Sequence, residues 1–202
     1  MTRIAVFCSG KGTNLEAILE ACRRKRIPAT VSLVVSDRPK AWALNRARQF
    51  GVETLVLKPH DFPSKRSYEQ SLLRHLKARR IQYVILAGFM RVLSPLFVRS
   101  YRHRILNIHP ALLPAFRGTH AVRDALKVGV KVTGVTVHLV DEGVDTGPIV
   151  LQEEVRVKPG DTEETLHQRI HRVEHRLYPK AIRLLVEQRL RVLGRRVEVF
   201  QC

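Results

Sequence analysis

The sequence predicts an α/β fold, a largely parallel sheet with helices on both faces that turns mixed in its C-terminal half. Three observations carry this. Short apolar, partly β-branched runs recur at Arg3 to Cys8, Val31 to Ser36, Thr54 to Leu57 and Tyr83 to Ala87. Between them Leu15, Ile18, Leu19 and Cys22, and then Leu72, Leu73 and Leu76, recur at three and four residues, the spacing of helices that cover a parallel sheet. Lys131 to Val140 instead alternates like an antiparallel or mixed-sheet strand, which breaks the βαβ repetition.

The first strand runs straight into Ser9-Gly10-Lys11-Gly12-Thr13-Asn14 and a helix. Backbone N–H groups and the helix dipole can hold a phosphate at such a junction. The loop is no dinucleotide fingerprint, because the third glycine falls at Leu15, and Gly12 after Gly-Lys breaks the Walker spacing. A tight turn with Thr13 or Asn14 as helix cap fits the same residues. Asp37, closing the second strand, has the place of a ribose contact, but without that glycine it reads as a loop residue. Gly88-Phe89-Met90-Arg91 after the fourth strand reads as packing plus one exposed arginine.

A further strand, Ile105 to Ile108, ends at Pro110 in a Pro- and Gly-punctuated loop through Gly118. Asn107 and His109 are two apart, so their side chains emerge on one side of the sheet. An amide can donate to a developing oxyanion without titrating, and an imidazole can donate or transfer a proton near neutrality; together they suit acyl transfer. The loop Asp141 to Pro148 follows the alternating strand, and its glycines can bend Asp145 toward His109, where a carboxylate favours the imidazolium. Taken singly, Asn107 reads as a turn former, His109 as a satisfied histidine and Asp145 as a loop cap.

Ile149 to Val157 is the next strand. Asp161 and Glu164 form a capping-box-like start, and Leu166, Ile170, Val173, Leu177 and Ala181 stripe a long helix behind it. Two alternating runs around Gly194 predict a terminal hairpin. His171-Arg172-Val173-Glu174-His175 matches an H-x-x-E-H zinc pattern. At ~100° per residue Glu174 lies about 80° from Leu166, while His171 and His175 lie about 140° and 180° away. With no third carboxylate ligand in view, no metal is expected.

The chain has 202 residues, 36 Lys and Arg against 18 Asp and Glu, and a net charge of +18. At 45% hydrophobic it can fill a substantial core, which excludes global disorder. No apolar run reaches the ~18 residues of a membrane helix, so no membrane partner and a cytoplasmic location are expected. The basic residues are scattered, which argues for a solvated surface that concentrates anions and against specific nucleic-acid binding. Cys8, Cys22 and Cys202 form no C-x-x-C pair, so reduced thiols are expected, with Cys8 as packing and not a nucleophile.

In one order over roughly residues 1–190 stand SGKGTN, AGFMRVLSP, LNIHPALLPAFRG, HLVDEGVDTGPIVLQ and EHRLYP. Together they closely resemble the phosphoribosylglycinamide formyltransferase family. The resemblance implies a Rossmann-like formyltransferase fold in a single domain over residues 1–202, with a nucleotide- and phosphate-binding half at 1–100 and a catalytic and folate-binding half at 101–202. It implies transfer of a formyl group from 10-formyltetrahydrofolate, a cosubstrate, to the amine of glycinamide ribonucleotide, without a metal, by a monomer or homodimer. Gly12, Thr13 and Asn14 match the family's phosphate loop, Glu174 its acidic contact near the substrate amine, and His171 stands where some relatives carry Gln. Met90, Arg91, Val92 and Leu93, with Asp141, Glu142, Gly143, Val144 and Asp145, match the segments that frame the folate, and Asn107 reaches the reacting end. Lys65 falls where an arginine is common, leaving an ionic contact of weaker geometry.

The family's catalytic trio maps onto Asn107, His109 and Asp145, with His109 expected as an imidazolium. Methionyl-tRNA formyltransferase and formyltetrahydrofolate hydrolase are related alternatives, each expected to carry a further domain. A non-catalytic basic module that binds RNA is the alternative of another class.

Overall fold

The computed structural model describes residues 1–200, so Cys202 lies outside the described residues. Its elements alternate as β1 (Thr2–Phe7), α1 (Thr13–Arg23), β2 (Ala29–Ser36), α2 (Trp42–Gln49), β3 (Thr54–Val56), α3 (Lys65–Ala78), β4 (Tyr83–Leu86), α4 (Pro95–Ser100) and β5 (Ile105–His109). There follow α5 (Ala121–Val128), β6 (Val132–Leu139), β7 (Ile149–Arg156), α6 (Glu163–Val186), β8 (Leu190–Leu193) and β9 (Arg196–Val199). Seven strands form one sheet in the order β3-β2-β1-β4-β5-β6-β7. The pairs from β3 to β5 are parallel, and β6 and β7 join antiparallel. This is the Rossmann-like, C-terminally mixed sheet expected from the sequence.

Alternation in β1 explains the two layers. Ile4, Val6 and Cys8 enter a core cluster with residues of α1, α2, α5 and α6, while Ala5 and Phe7 enter another with α3 and α4. Phe7 is fully buried and meets Phe89 edge-on at 5.2 Å; burying such a ring contributes roughly 1.5–3 kcal/mol. A strand buried on both faces belongs in the middle of a parallel sheet. Strand order reverses at β1, between β2 and β4, the place where open α/β sheets bind ligands beyond the strand ends. The glycine loop and the Gly88–Arg91 turn meet there, with the Ser9 N–H donating to the Gly88 carbonyl at 2.9 Å.

The start of α6 differs from the sequence expectation. Its N-cap is Thr162, which makes a reciprocal box with Thr165, in place of Asp161 with Glu164. Asp161 is engaged elsewhere, accepting from the Lys158 N–H at 2.7 Å and from Arg169 at 2.8 Å. Further along, the buried Tyr178 hydroxyl donates to the carbonyls of Leu86 and Leu106 at 2.8 and 3.0 Å, anchoring α6 to the ends of β4 and β5. The terminal hairpin forms as β8 and β9, and Leu190, Val192 and Val197 pack on the larger core. Among the described residues no helix is long and apolar enough to cross a membrane.

Candidate active site

Antiparallel pairing of β5 with β6 builds the central cluster. Asn107 stands opposite His138 and His109 opposite Thr136. Their neighbours Leu106, Ile108, Val137 and Leu139 all belong to the larger core cluster. One face of the strand pair is therefore packed, and the other presents four polar side chains.

Asp145 closes over this polar face with a left-handed backbone, φ +52°. Its carboxylate accepts the Asn107 amide at 3.4 Å and the Gly118 N–H at 2.9 Å, and lies 3.4 Å from His109 Nδ1 and 3.6 Å from His138 Nε2. The structure thus brings Asn107, His109 and Asp145 together. Burial works to raise the Asp145 carboxyl, but His138, the Gly118 N–H and His109 outweigh it and hold the group below its usual range. Asp145 is an anion at neutral pH.

Burial and neighbouring groups act on His109 in opposite directions. Burial lowers its affinity for a proton and prevails over the opposing pull of Asp145 and the Phe116 carbonyl. Phe116 offers only an acceptor, 2.7 Å from Nε2, so Nε2 donates to it, and Nδ1 faces Asp145 at 3.4 Å.

His138 is a site residue that the sequence reading did not single out. Its Nδ1 lies 2.9 Å from the Leu139 carbonyl, to which it donates, and its Nε2 lies 3.6 Å from Asp145 and 3.2 Å from the Asn107 amide nitrogen. That contact fixes which way the amide points. Alternation along KVTGVTVHLV was the available signal, because it puts Thr136 and His138 on one face. Thr136 serves the loop after His109, donating to the Ala111 carbonyl at 2.7 Å and accepting from the Leu113 N–H at 3.0 Å.

The Asp loop is braced from three directions. Asp141 accepts from the Gly143 N–H at 3.1 Å and the Thr146 hydroxyl at 2.6 Å. Arg99 of α4 pairs with Glu142 at 2.7 Å. Arg195, in the turn of the terminal hairpin, donates to the Thr146 carbonyl at 3.0 Å. Val144 and Glu142 point into solvent.

At the glycine loop, Gly12 is the N-cap of α1 in a left-handed conformation, and no side chain caps the helix. This corrects the reading of Thr13 or Asn14 as cap. Gly12 is required: its φ is +75°, and a Cβ there would meet the Cα of Ala43 at 2.7 Å. Asn14 reaches across instead, its amide donating to Glu174 Oε2 at 2.9 Å. The same oxygen lies 2.8 Å from His171 Nδ1. Burial tends to raise the Glu174 carboxyl, yet His171 and Asn14 together hold it low. Gly12, Thr13, Asn14, His171 and Glu174 thus form one group, drawn from both ends of the chain.

Lys65 and Met90 to Leu93 line a cavity of about 430 Å³ with Tyr68, Glu69 and Phe62. Asp141 to Asp145 do not line it. Met90, Arg91 and Val92 are exposed and Leu93 is buried. Asp37, only 5% exposed, accepts from the Ser9 hydroxyl at 2.6 Å and Arg91 Nε at 2.9 Å, and Ser9 Oγ accepts the Met90 N–H at 2.9 Å. Asp37 therefore ties the turn after β4 to the glycine loop. Glu69 is likewise buried; it accepts from the Ser94 N–H at 2.8 Å and from the Ser94 hydroxyl, and so fixes the chain just after Leu93. Cys8 lies in the core, where burial pushes its thiol well above the usual range.

Residues 2–182 match the formyl transferase family. A phosphoribosylglycinamide formyltransferase of Bacillus subtilis is 41% identical over 92% of this chain and 95% of its own length. The trifunctional purine biosynthetic protein adenosine-3 of Drosophila pseudoobscura pseudoobscura is 48% identical over 94% of this chain, which spans only 14% of that longer protein. A crystal structure of glycinamide ribonucleotide transformylase 1 from Symbiobacterium toebii superposes with a TM-score of 0.98 at 51% identity, covering 100% of this chain and 95% of that one.

Proposed function

The chain belongs to the formyl transferase family, and from that premise we propose that it is a phosphoribosylglycinamide formyltransferase, acting in the cytosol on 10-formyltetrahydrofolate and glycinamide ribonucleotide. The observation that carries the reading is the placement of Asn107 and His109 around the single carboxylate of Asp145, at the ends of two paired strands.

In the reaction the neutral amine of the ribonucleotide attacks the formyl carbon. A C–N bond forms, the carbonyl oxygen becomes an oxyanion, and the bond to the folate nitrogen then breaks as that nitrogen takes up the proton the amine gives up. Asn107 donates to the oxyanion without titrating. His109 is the second donor. Nε2 of His109 now meets the Phe116 carbonyl at 2.7 Å, so the formyl oxygen replaces that acceptor only if the carbonyl moves aside. As negative charge develops there, it joins Asp145 in favouring the imidazolium that burial opposes at rest. The donors are thus matched to the transition state more than to the ground state.

Gly12 to Asn14 hold the phosphate on backbone N–H groups at the start of α1, and Glu174 accepts from the amine end. The cavity beside Lys65 and Met90 to Leu93 receives the folate, with the Asp loop closing the reacting end. Lys65 offers the folate carboxylate a point charge in place of a bidentate fork.

Incubation of the protein with 10-formyltetrahydrofolate and, in turn, glycinamide ribonucleotide, initiator methionyl-tRNA or buffer alone tests this. Release of tetrahydrofolate only with the ribonucleotide is expected. Release with tRNA or with water alone would replace the reading by one of its two relatives.

A further inference from the structure

A second cluster of titratable groups lies on α6 beside the glycine loop, and formyl transfer makes no use of most of it. His167, His171 and His175 stand one helical turn apart; His171 and His175 stack with centroids 6.1 Å apart, and the His167 ring lies 5.3 Å from that of His171, tilted by 36°. Among the described residues only the middle ring has a carboxylate partner, the buried Glu174, which also holds Asn14 of the loop. Nδ1 of His167 is buried and has no hydrogen-bond partner among the described residues.

The charges that face the stack come from four elements. The charge of Lys11 in the glycine loop acts on His167 and His171, that of Glu163 in α6 on His167, those of Glu16 in α1 and Arg46 in α2 on His175, and that of Glu174 on all three rings. Arg46 and Glu16 are paired with each other. Glu174 raises the proton affinity of His171. Burial, and then the charge on His171, lower that of His167 and His175. Three adjacent imidazoles titrate as a unit, and the carboxylate beside them supports one proton more readily than two.

A phosphate dianion held on the loop beside Lys11 changes that balance, because a nearby opposite charge favours the protonated ring. We propose that the stack makes ribonucleotide binding proton-coupled: as the phosphate docks on Gly12 to Asn14, His167 or His175 takes up a proton from solvent, and the new imidazolium joins Lys11 against the anion. The inference rests on the reading that the ribonucleotide occupies this loop. It assigns His167 and His175 as specificity residues that select a doubly charged phosphate and makes the affinity a function of pH.

Titration calorimetry with glycinamide ribonucleotide at about pH 7.5, where a phosphate monoester with second pKa ~6 is already the dianion, reads the proton directly. Run in two buffers of different ionisation enthalpy, the wild-type protein should give different heats that correspond to net uptake. The ribonucleotide KM should rise with pH, by up to about tenfold per unit for one fully coupled proton, with kcat moving less. The double variant His167→Gln, His175→Gln should lose most of the buffer dependence and flatten the KM profile. His171→Gln, which keeps a group able to donate to Glu174, should keep part of it. Buffer-independent heats in a wild-type protein that does bind would overturn the proposal, and so would undiminished uptake in the double variant. Absence of any ribonucleotide binding would overturn the reading of the loop, and this proposal with it.

Discussion

The strand-end network on β5 and β6 and the stack on α6 use histidine in opposite ways. His109 and His138 are only 4% and 2% exposed, and each of their four ring nitrogens faces a fixed protein atom. His171 and His175 border solvent, and of the three α6 rings His171 alone is paired with a carboxylate among the described residues. In the first region burial and complete pairing fix tautomer and direction, so a change of one partner leaves another buried group unsatisfied. In the second, exposure leaves the charge state adjustable. On the function proposed above, the first region supplies the chemistry and the second the conditions under which the ligand is held.

The sharpest way to break this contrast is to remove the groups at the strand ends. His109→Ala should lower kcat by ~10²–10⁴, read by steady-state kinetics on protein whose circular dichroism is unchanged. Asn107→Ala should follow with a loss of ~10²–10³; turnover unchanged in the folded variant would remove the amide from the mechanism. His138 orients Asn107 without touching substrate, so His138→Ala should cost less, about 10–100-fold. A loss as deep as that of His109→Ala would make it a reacting group.

Stability against pH separates the two regions by sign. The folded-state pKa of His109 is lowered, so the unfolded chain binds more protons and the contribution present above about pH 6.5 is lost as the pH falls through the lowered value. That of His171 is raised by Glu174, so its contribution is present below about pH 6.5 and is lost as the pH rises through the raised value. Urea midpoints measured from pH 5 to 9 should show the acid limb flattened in His109→Asn and the alkaline limb flattened in His171→Gln. The same limb flattened by both variants would erase the contrast. The smallest expected effect is at the start of α6, where Thr162→Ala should cost about 1 kcal/mol of stability and leave the ribonucleotide KM unchanged, because Tyr178 and the core, not the cap, position the stack.

Much of the fold was legible because its signals are local. The β-branched runs of β1 and β2, the glycine loop and the Leu72 to Leu76 spacing each declare themselves within a few residues. The short helices α4 and α5 did not, since the segments around Pro95 and after Gly118 are too brief or too broken for helical periodicity to show. At the site, Asn107 and His109 could be paired because they are two apart on one strand. His138 could not, because its place opposite Asn107 depends on the register of two strands about thirty residues apart in the chain. The burial that lowers the proton affinity of His109 was equally hidden, since it depends on how deeply the ring is packed and not on which residues neighbour it in sequence.

The contact between Arg195 and the Thr146 carbonyl makes the terminal hairpin a mechanical neighbour of Asp145, although the two are about fifty residues apart in the chain. A purification tag or carrier protein attached behind β9 therefore hangs on a hairpin that touches the Asp145 loop. A turnover deficit in such a fusion should be traced to this arginine before it is blamed on misfolding.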